Sequence, residues 1–219
     1  MPLNDPEAIV NQVFSLYEKY GDEDYIGEPV SQLEHMSQAA ALAEEEGFDD
    51  EVILAAFFHD IGHLCADEGE AESMDGMGNV DHEILGANYL LSRGFSERLA
   101  LLVQSHVIAK RYLTYKHPDY YNQLSEASKV TLEFQGGRMT AEEATEFELK
   151  PDAELFIRFR YWDDKAERSK HSGTKYYPFK SNCFTPSTEK HIVSLPELDT
   201  GAHCNRLAME YNQSWGAYK

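Results

Sequence analysis

The chain is poor in cysteine, in basic charge and in long apolar runs. Its three cysteines, Cys65, Cys183 and Cys204, are an odd set without paired spacing. That argues against a disulfide-stapled scaffold and a cysteine-based zinc site, and makes a reducing cytoplasm the expected compartment. Only 19 Lys and Arg stand against 39 Asp and Glu, a formal net charge of −20. Such a chain repels nucleic acid and anionic membranes, so neither is expected as a partner. No apolar run approaches the roughly 18 residues that a membrane span needs. The stretch MPLNDPEAIV has no basic residue and no long apolar segment, so a secretory leader is not expected there. A small anionic substrate remains open to so acidic a protein if it meets a local positive centre, which metal ions supply. Nothing in the sequence sets the oligomeric state.

The patterning that is present is helical. Asp5 or Asn4 precedes Pro6, a favoured first helical position, and Ile9, Val10, Val13, Phe14 and Tyr17 recur at helical spacing until Gly21. Residues 22–30 read as a loop. Ser31 with Glu34 forms a capping box for a helix reaching Gly47. Asp49 or Asp50 opens one helix carrying VILAAFFHDIGHLC, and the acidic, Gly-rich residues 66–80 read as a loop. Further helices are expected from Asp81 to Gly94, from Ser96 to Leu113, from Leu124 to Phe134 and over 152–165. Between them lie a Lys-His-Pro-Asp turn and a second capping box, Thr140 with Glu143. The expectation is an all-α bundle over residues 1–168, followed by a less regular extension over 169–219 to which no role is assigned.

Chemistry concentrates on a few polar residues set among apolar ones. His59 and Asp60 are adjacent within a strongly apolar helix, where both are costly to bury unless paired. Alone, such a pair is equally well explained by hydrogen bonding. His35 lies on the preceding helix, His82 opens the helix after the acidic loop, His106 sits mid-helix in LLVQSHVIAK, and Asp163 ends the apolar stretch before it. Successive helices that each offer one or two such residues can build a metal site in a bundle interior. Four imidazoles and two carboxylates suit a borderline transition ion better than magnesium or calcium. His117, His171, His191 and His203 fall in expected loops or the extension and read as solvated.

The ordered series His, His-Asp, His, His, Asp resembles the HD-domain superfamily of metal-dependent enzymes. That resemblance implies one metal on His35, His59, Asp60 and Asp163 and a second on Asp60, His82 and His106, with Asp60 bridging. A narrower resemblance runs from about residue 8 to 168. DYIGEPVSQLEH, SHVIAKRYL, LSEASKVTLEFQGGRM and YWDDK look like the phosphonate-cleaving oxygenases of that superfamily. It implies two iron ions in a mixed-valent Fe(II)/Fe(III) pair, with O2 as co-substrate. The small-molecule substrate would be 1-hydroxy-2-(trimethylamino)ethylphosphonate or 1-hydroxy-2-aminoethylphosphonate, cleaved to phosphate and glycine betaine or glycine.

On that resemblance Tyr25, Glu28, His63, Lys110, Ser128 and Gln135 contact substrate, and His63 and Lys110 work with the di-iron centre in catalysis. Spacing agrees for some of them. Lys110 lies one turn beyond His106 and faces the same way, and Ser128 and Gln135 are seven residues apart on one helix face. The plainer alternatives are a surface lysine beside Arg111 for Lys110, the less favoured reading, and a simple cap for Gln135. The tyrosine is expected to occupy an open iron position before substrate binds, and the glutamate to meet the substrate amine. An aromatic-rich chain leans the amine towards its trimethylated form. The main rival is an HD-type metal-dependent phosphohydrolase using the same ligands with a metal-bound hydroxide. A polyol-cleaving oxygenase and a non-catalytic metal-binding module are the others.

Overall fold

A computed structural model describes residues 5–25, 28–66 and 81–166. Among these, ten helices and no strand are found, apart from an isolated antiparallel bridge between Asp24 and Ser31. Helix α1 (Pro6–Tyr20) starts where the Asp5 side chain accepts from the Glu7 N–H, with Pro6 in its first turn. Its stripe of Val10, Val13, Phe14 and Tyr17 is buried. Helix α2 (Gln32–Glu45) has the expected Ser31–Glu34 capping box in both directions. Helix α3 (Asp50–Phe58) is capped by Asp49, and its residues from Glu51 to Phe58 are all buried, as an all-round apolar helix requires.

The helix expected to run through VILAAFFHDIGHLC is two helices. It stops at His59–Asp60 and resumes as α4 (Ile61–Ala66). The backbone tightens there, with the His63 N–H donating to the Asp60 carbonyl over three residues. The new axis lets Gly62 lie directly against α5 (His82–Leu91), where a Cβ on Gly62 would sit 1.8 Å from the His82 carbonyl oxygen. The break points two polar side chains inward and brings His82 beside them.

Helix α6 (Glu97–Lys116), capped by Ser96, runs past the expected Leu113. It stops because Pro118 forces His117 into an extended conformation, φ −127° and ψ 92°. The turn expected next is a short helix, α7 (Pro118–Gln123), nucleated by that same proline. Helix α8 (Glu126–Phe134) starts after Ser125 rather than at Leu124, because the Ser125 hydroxyl accepts from the Ser128 N–H. Helix α9 (Ala141–Glu148) carries the Thr140–Glu143 capping box, and α10 (Ala153–Ala166) closes the described chain.

Helix α6 is the central post, packed against α3, α5, α7, α9 and α10, while α2 packs on α3 and α10. Phe14, Tyr17, Phe57 and Phe58 cluster with ring centroids 4.8–6.2 Å apart, and Trp162 packs between Phe48 and Phe159. Each such buried ring contributes on the order of 2 kcal/mol. These contacts fix α2, α3, α5, α6 and α10 around one polar interior. Among the described residues no helix is long and apolar enough to cross a membrane. The acidic loop from residue 67 and the extension over 169–219 lie outside the described residues.

Candidate metal centre

Five elements each deliver a ligand-type side chain to one place. His35 comes from α2, His59 and Asp60 from the α3–α4 junction, His82 from the first residue of α5, His106 from the middle of α6, and Asp163 from the last turns of α10. All six are buried, His35 completely. They form two groups, His35, His59, Asp60 and Asp163, and Asp60, His82 and His106, in each of which the ligand atoms lie within 4.8 Å of one another.

Asp60 belongs to both groups, with its two oxygens divided between them. Oδ2 lies 3.5 Å from His35 Nε2 and 3.4 Å from His59 Nε2. Oδ1 lies 3.3 Å from both His82 Nε2 and His106 Nε2. A carboxylate placed so can bridge two cations.

The donor atoms fit metal ions. His59 Nδ1–H donates to the Ala56 carbonyl at 2.8 Å, and His106 Nδ1–H donates to Val103 at 2.9 Å. Each ring is thereby fixed as the tautomer whose Nε2 carries a lone pair. Yet His35 Nε2 faces His59 Nε2 at 3.0 Å, and His82 Nε2 faces His106 Nε2 at 2.9 Å. Asp163 Oδ1 is buried beside the first group without a hydrogen-bond partner. Four converging imidazole nitrogens and a buried carboxylate oxygen without a hydrogen-bond partner make a donor set that fits a shared cation.

Electrostatics follow from the same packing. Burial pushes the Asp60 carboxyl up, but His59 and the other imidazoles reverse this and hold it well below the usual range. Burial also raises Asp163, and Arg160 with the two nearby imidazoles brings it well below its ordinary value. Burial lowers His35 and His59, and the two carboxylates more than offset that, so both end raised. His106 falls to about 3, chiefly by burial. His63 also falls to about 3, by burial and the nearby His82.

The other sequence candidates surround this centre. The Tyr25 ring stacks on His35 at 4.0 Å, and its hydroxyl donates to Asp60 Oδ2 at 2.8 Å. Glu28 follows on the same loop and, with Asp24, Tyr25, Ser31 and Glu34, lines a surface recess. His63 stacks on His82 at 4.0 Å. Lys110 is buried, and its Nζ donates to Thr131 Oγ1 at 2.7 Å and Gln135 Oε1 at 2.9 Å. Gln135 therefore both ends α8 and holds Lys110. Ser128 sits on the same face of α8, its hydroxyl accepting from Arg160 Nη2 at 3.0 Å. His117 is exposed, as expected.

Two residues of this shell escaped sequence reading. Thr131 is one turn beyond Ser128 and shares Lys110. Arg160 is buried, and its Nη1 donates to Asp163 Oδ2 at 2.5 Å. That leaves Asp163 Oδ1 to face the imidazoles, so the arginine fixes which oxygen meets the metal site. The signal was present in the i, i+3 and i, i+4 spacing of Arg160 to Asp163 and Asp164.

Sequence comparison agrees with the geometry. The family model described as HD domain matches residues 32–145. The chain belongs to the HD-domain family. The chain is similar to an uncharacterized protein of Acanthamoeba polyphaga mimivirus, 46% identical over 158 residues, 72% of each chain. A [1-hydroxy-2-(trimethylamino)ethyl]phosphonate dioxygenase (glycine-betaine-forming) of Leisingera caerulea is 42% identical over 171 residues, 78% of this chain and 86% of that one. A hydroxymethylphosphonate dioxygenase of Gimesia maris is 40% identical over 162 residues, 74% of this chain and 80% of that one.

Proposed function

We propose that this HD-domain protein is a di-iron oxygenase that uses O2 to cleave the carbon–phosphorus bond of a 1-hydroxyphosphonate bearing a cationic amine. The substrate would be 1-hydroxy-2-(trimethylamino)ethylphosphonate or its amino counterpart, giving phosphate and glycine betaine or glycine. The reaction balances without a further reductant: hydroxyphosphonate and one O2 give carboxylate, phosphate and a proton. The observation that carries the reading is the placement of two buried cations, Lys110 and Arg160, beside a paired metal-ligand set in a chain of net charge −20. A phosphonate anion would meet two metal ions and two basic groups there.

Two iron ions, held by His35, His59, Asp60 and Asp163 and by Asp60, His82 and His106, would supply O2 binding and one-electron redox chemistry in a mixed-valent Fe(II)/Fe(III) pair. The protein does the rest. Lys110 offers a point charge to the phosphonate, and Arg160 with Ser128 offers directed donors. Thr131 and Gln135 hold Lys110 until substrate arrives. His63, its pKa pushed down to about 3 chiefly by burial, is neutral, so it offers one N–H donor to a phosphonate oxygen. Tyr25 leaves Asp60 as substrate enters from the recess. Glu28 and Asp24 then meet the amine. That acidic recess favours an amine-bearing substrate over hydroxymethylphosphonate, which has no cation to place there.

The test is phosphate release by anaerobically purified, iron-loaded protein from the trimethylamino, amino and hydroxymethyl substrates, with and without O2. The reading expects release only with O2, and a higher kcat/KM for the amine-bearing compounds. Release that persists under nitrogen supports the phosphohydrolase chemistry of the HD domain instead.

A further inference from the structure

We infer that Tyr120 and Asp164 are positioning residues that aim the Arg160 guanidinium at the anionic end of the substrate; this rests on the phosphonate reading above. The guanidinium is held from behind by two elements. Its Nε donates to Tyr120 Oη at 2.8 Å, from α7. Its Nη2 donates to Asp164 Oδ1 at 2.5 Å, one residue past the last candidate ligand on α10. Tyr120 Oη in turn donates to Asp164 Oδ2 at 2.6 Å, which closes a ring of hydrogen bonds around one edge of the fork. All three side chains are buried.

A guanidinium is planar, so fixing Nε and one Nη fixes the direction of every other N–H. The remaining contacts are then set: Nη1 on Asp163 Oδ2 and Nη2 on Ser128 Oγ. Asp163 and Asp164 are consecutive and both reach Arg160, but only Asp163 belongs to a ligand group. Without the rear clamp the arginine would pair with Asp163 through both oxygens. That pairing draws Oδ1 off the His35–His59 group and pulls the guanidinium away from Ser128. The division of labour between the two aspartates keeps Asp163 one-handed and Arg160 facing Ser128. It also gives α7 a purpose beyond reversing the chain, since its one buried residue is Tyr120.

The test uses the full iron-loaded chain and inorganic phosphate, the product shared by every candidate substrate. Titration calorimetry compares the parent with Tyr120→Phe and Asp164→Asn, with iron content, melting temperature and the KM–kcat split measured on the same samples. The inference expects full iron content and phosphate bound on the order of tenfold more weakly, with the loss appearing in KM rather than kcat. In an Arg160→Lys background, Tyr120→Phe should add nothing further, because lysine has no Nε fork to aim. Parent-like phosphate affinity in both variants overturns the inference. So does a loss that appears only alongside lost iron or lost fold, or that is fully additive with Arg160→Lys. A parent that neither binds phosphate nor releases it from hydroxyphosphonates overturns the phosphonate reading, and this inference with it.

Discussion

Tyr25 Oη donates to Asp60 Oδ2 at 2.8 Å, so a loop residue outside every helix caps the one carboxylate shared by both ligand groups. The same ring lies on His35 at 4.0 Å and lines the acidic recess with Asp24, Glu28 and Glu34. The phenol thus joins the lining of the recess to the shared carboxylate.

Tyr25→Phe removes the hydroxyl and keeps the stacked ring. Both metals should stay, because neither ligand group includes Tyr25. Iron-dependent O2 consumption without substrate should rise severalfold as the centre loses its cover. An oxygen electrode reads this directly, and parent-like uptake argues against a gating role.

Removing ligands should follow the division of Asp60. His82→Ala should leave the His35, His59, Asp60 and Asp163 group intact, giving one metal per chain and no turnover. Asp60→Ala should reduce both sites, because each loses its shared carboxylate. Metal analysis of the two variants separates these outcomes. Turnover retained in His82→Ala contradicts a two-metal mechanism.

Much of this was legible in the sequence, for physical reasons. Helix caps are local, so Ser31–Glu34 and Thr140–Glu143 read correctly. Six ligand-type residues among apolar neighbours advertise themselves because burial without a partner is so unfavourable. What could not be read depends on tertiary contact. The break at His59–Asp60 follows from α4 lying backbone-to-backbone on α5, which periodicity does not encode. Arg160 looked like one more charge in FIRFRYWDD, since only folding shows it buried between Asp163 and Ser128. The α7 helix hid because its six residues are too few for a periodic signal.

Gly62 is the close-packing point of that arrangement. Gly62→Ala places a methyl 1.8 Å from the His82 carbonyl, a backbone atom that cannot step aside. The expected loss is about 3 kcal/mol or more of stability, with displaced His82 and a weakened second metal site. Gly86→Ala meets the Gly62 nitrogen and Ile61 Cγ2 at 3.0 Å and should be milder, about 1 kcal/mol. Thermal melts with metal analysis test the order of severity.

Metal loading should depend on pH unequally at the two sites. His35 and His59 have raised pKa values, so the metal-free protein holds protons there that a metal must displace. Those protons stabilise the metal-free fold fully below the ordinary histidine pKa, and the contribution is lost as pH rises through the raised values. Metal affinity at that group should therefore strengthen with rising pH and release protons on binding. His106, lowered to about 3, offers no such competition near neutrality. Calorimetry in buffers of different ionisation enthalpy counts the protons; equal pH dependence at both sites contradicts the assignment.

The most direct test of the central claim is simultaneous measurement of O2 uptake and phosphate release by the iron-loaded protein on 1-hydroxy-2-(trimethylamino)ethylphosphonate. The account predicts one O2 consumed per phosphate released, both abolished by iron removal. Phosphate release that proceeds without O2 uptake would contradict it.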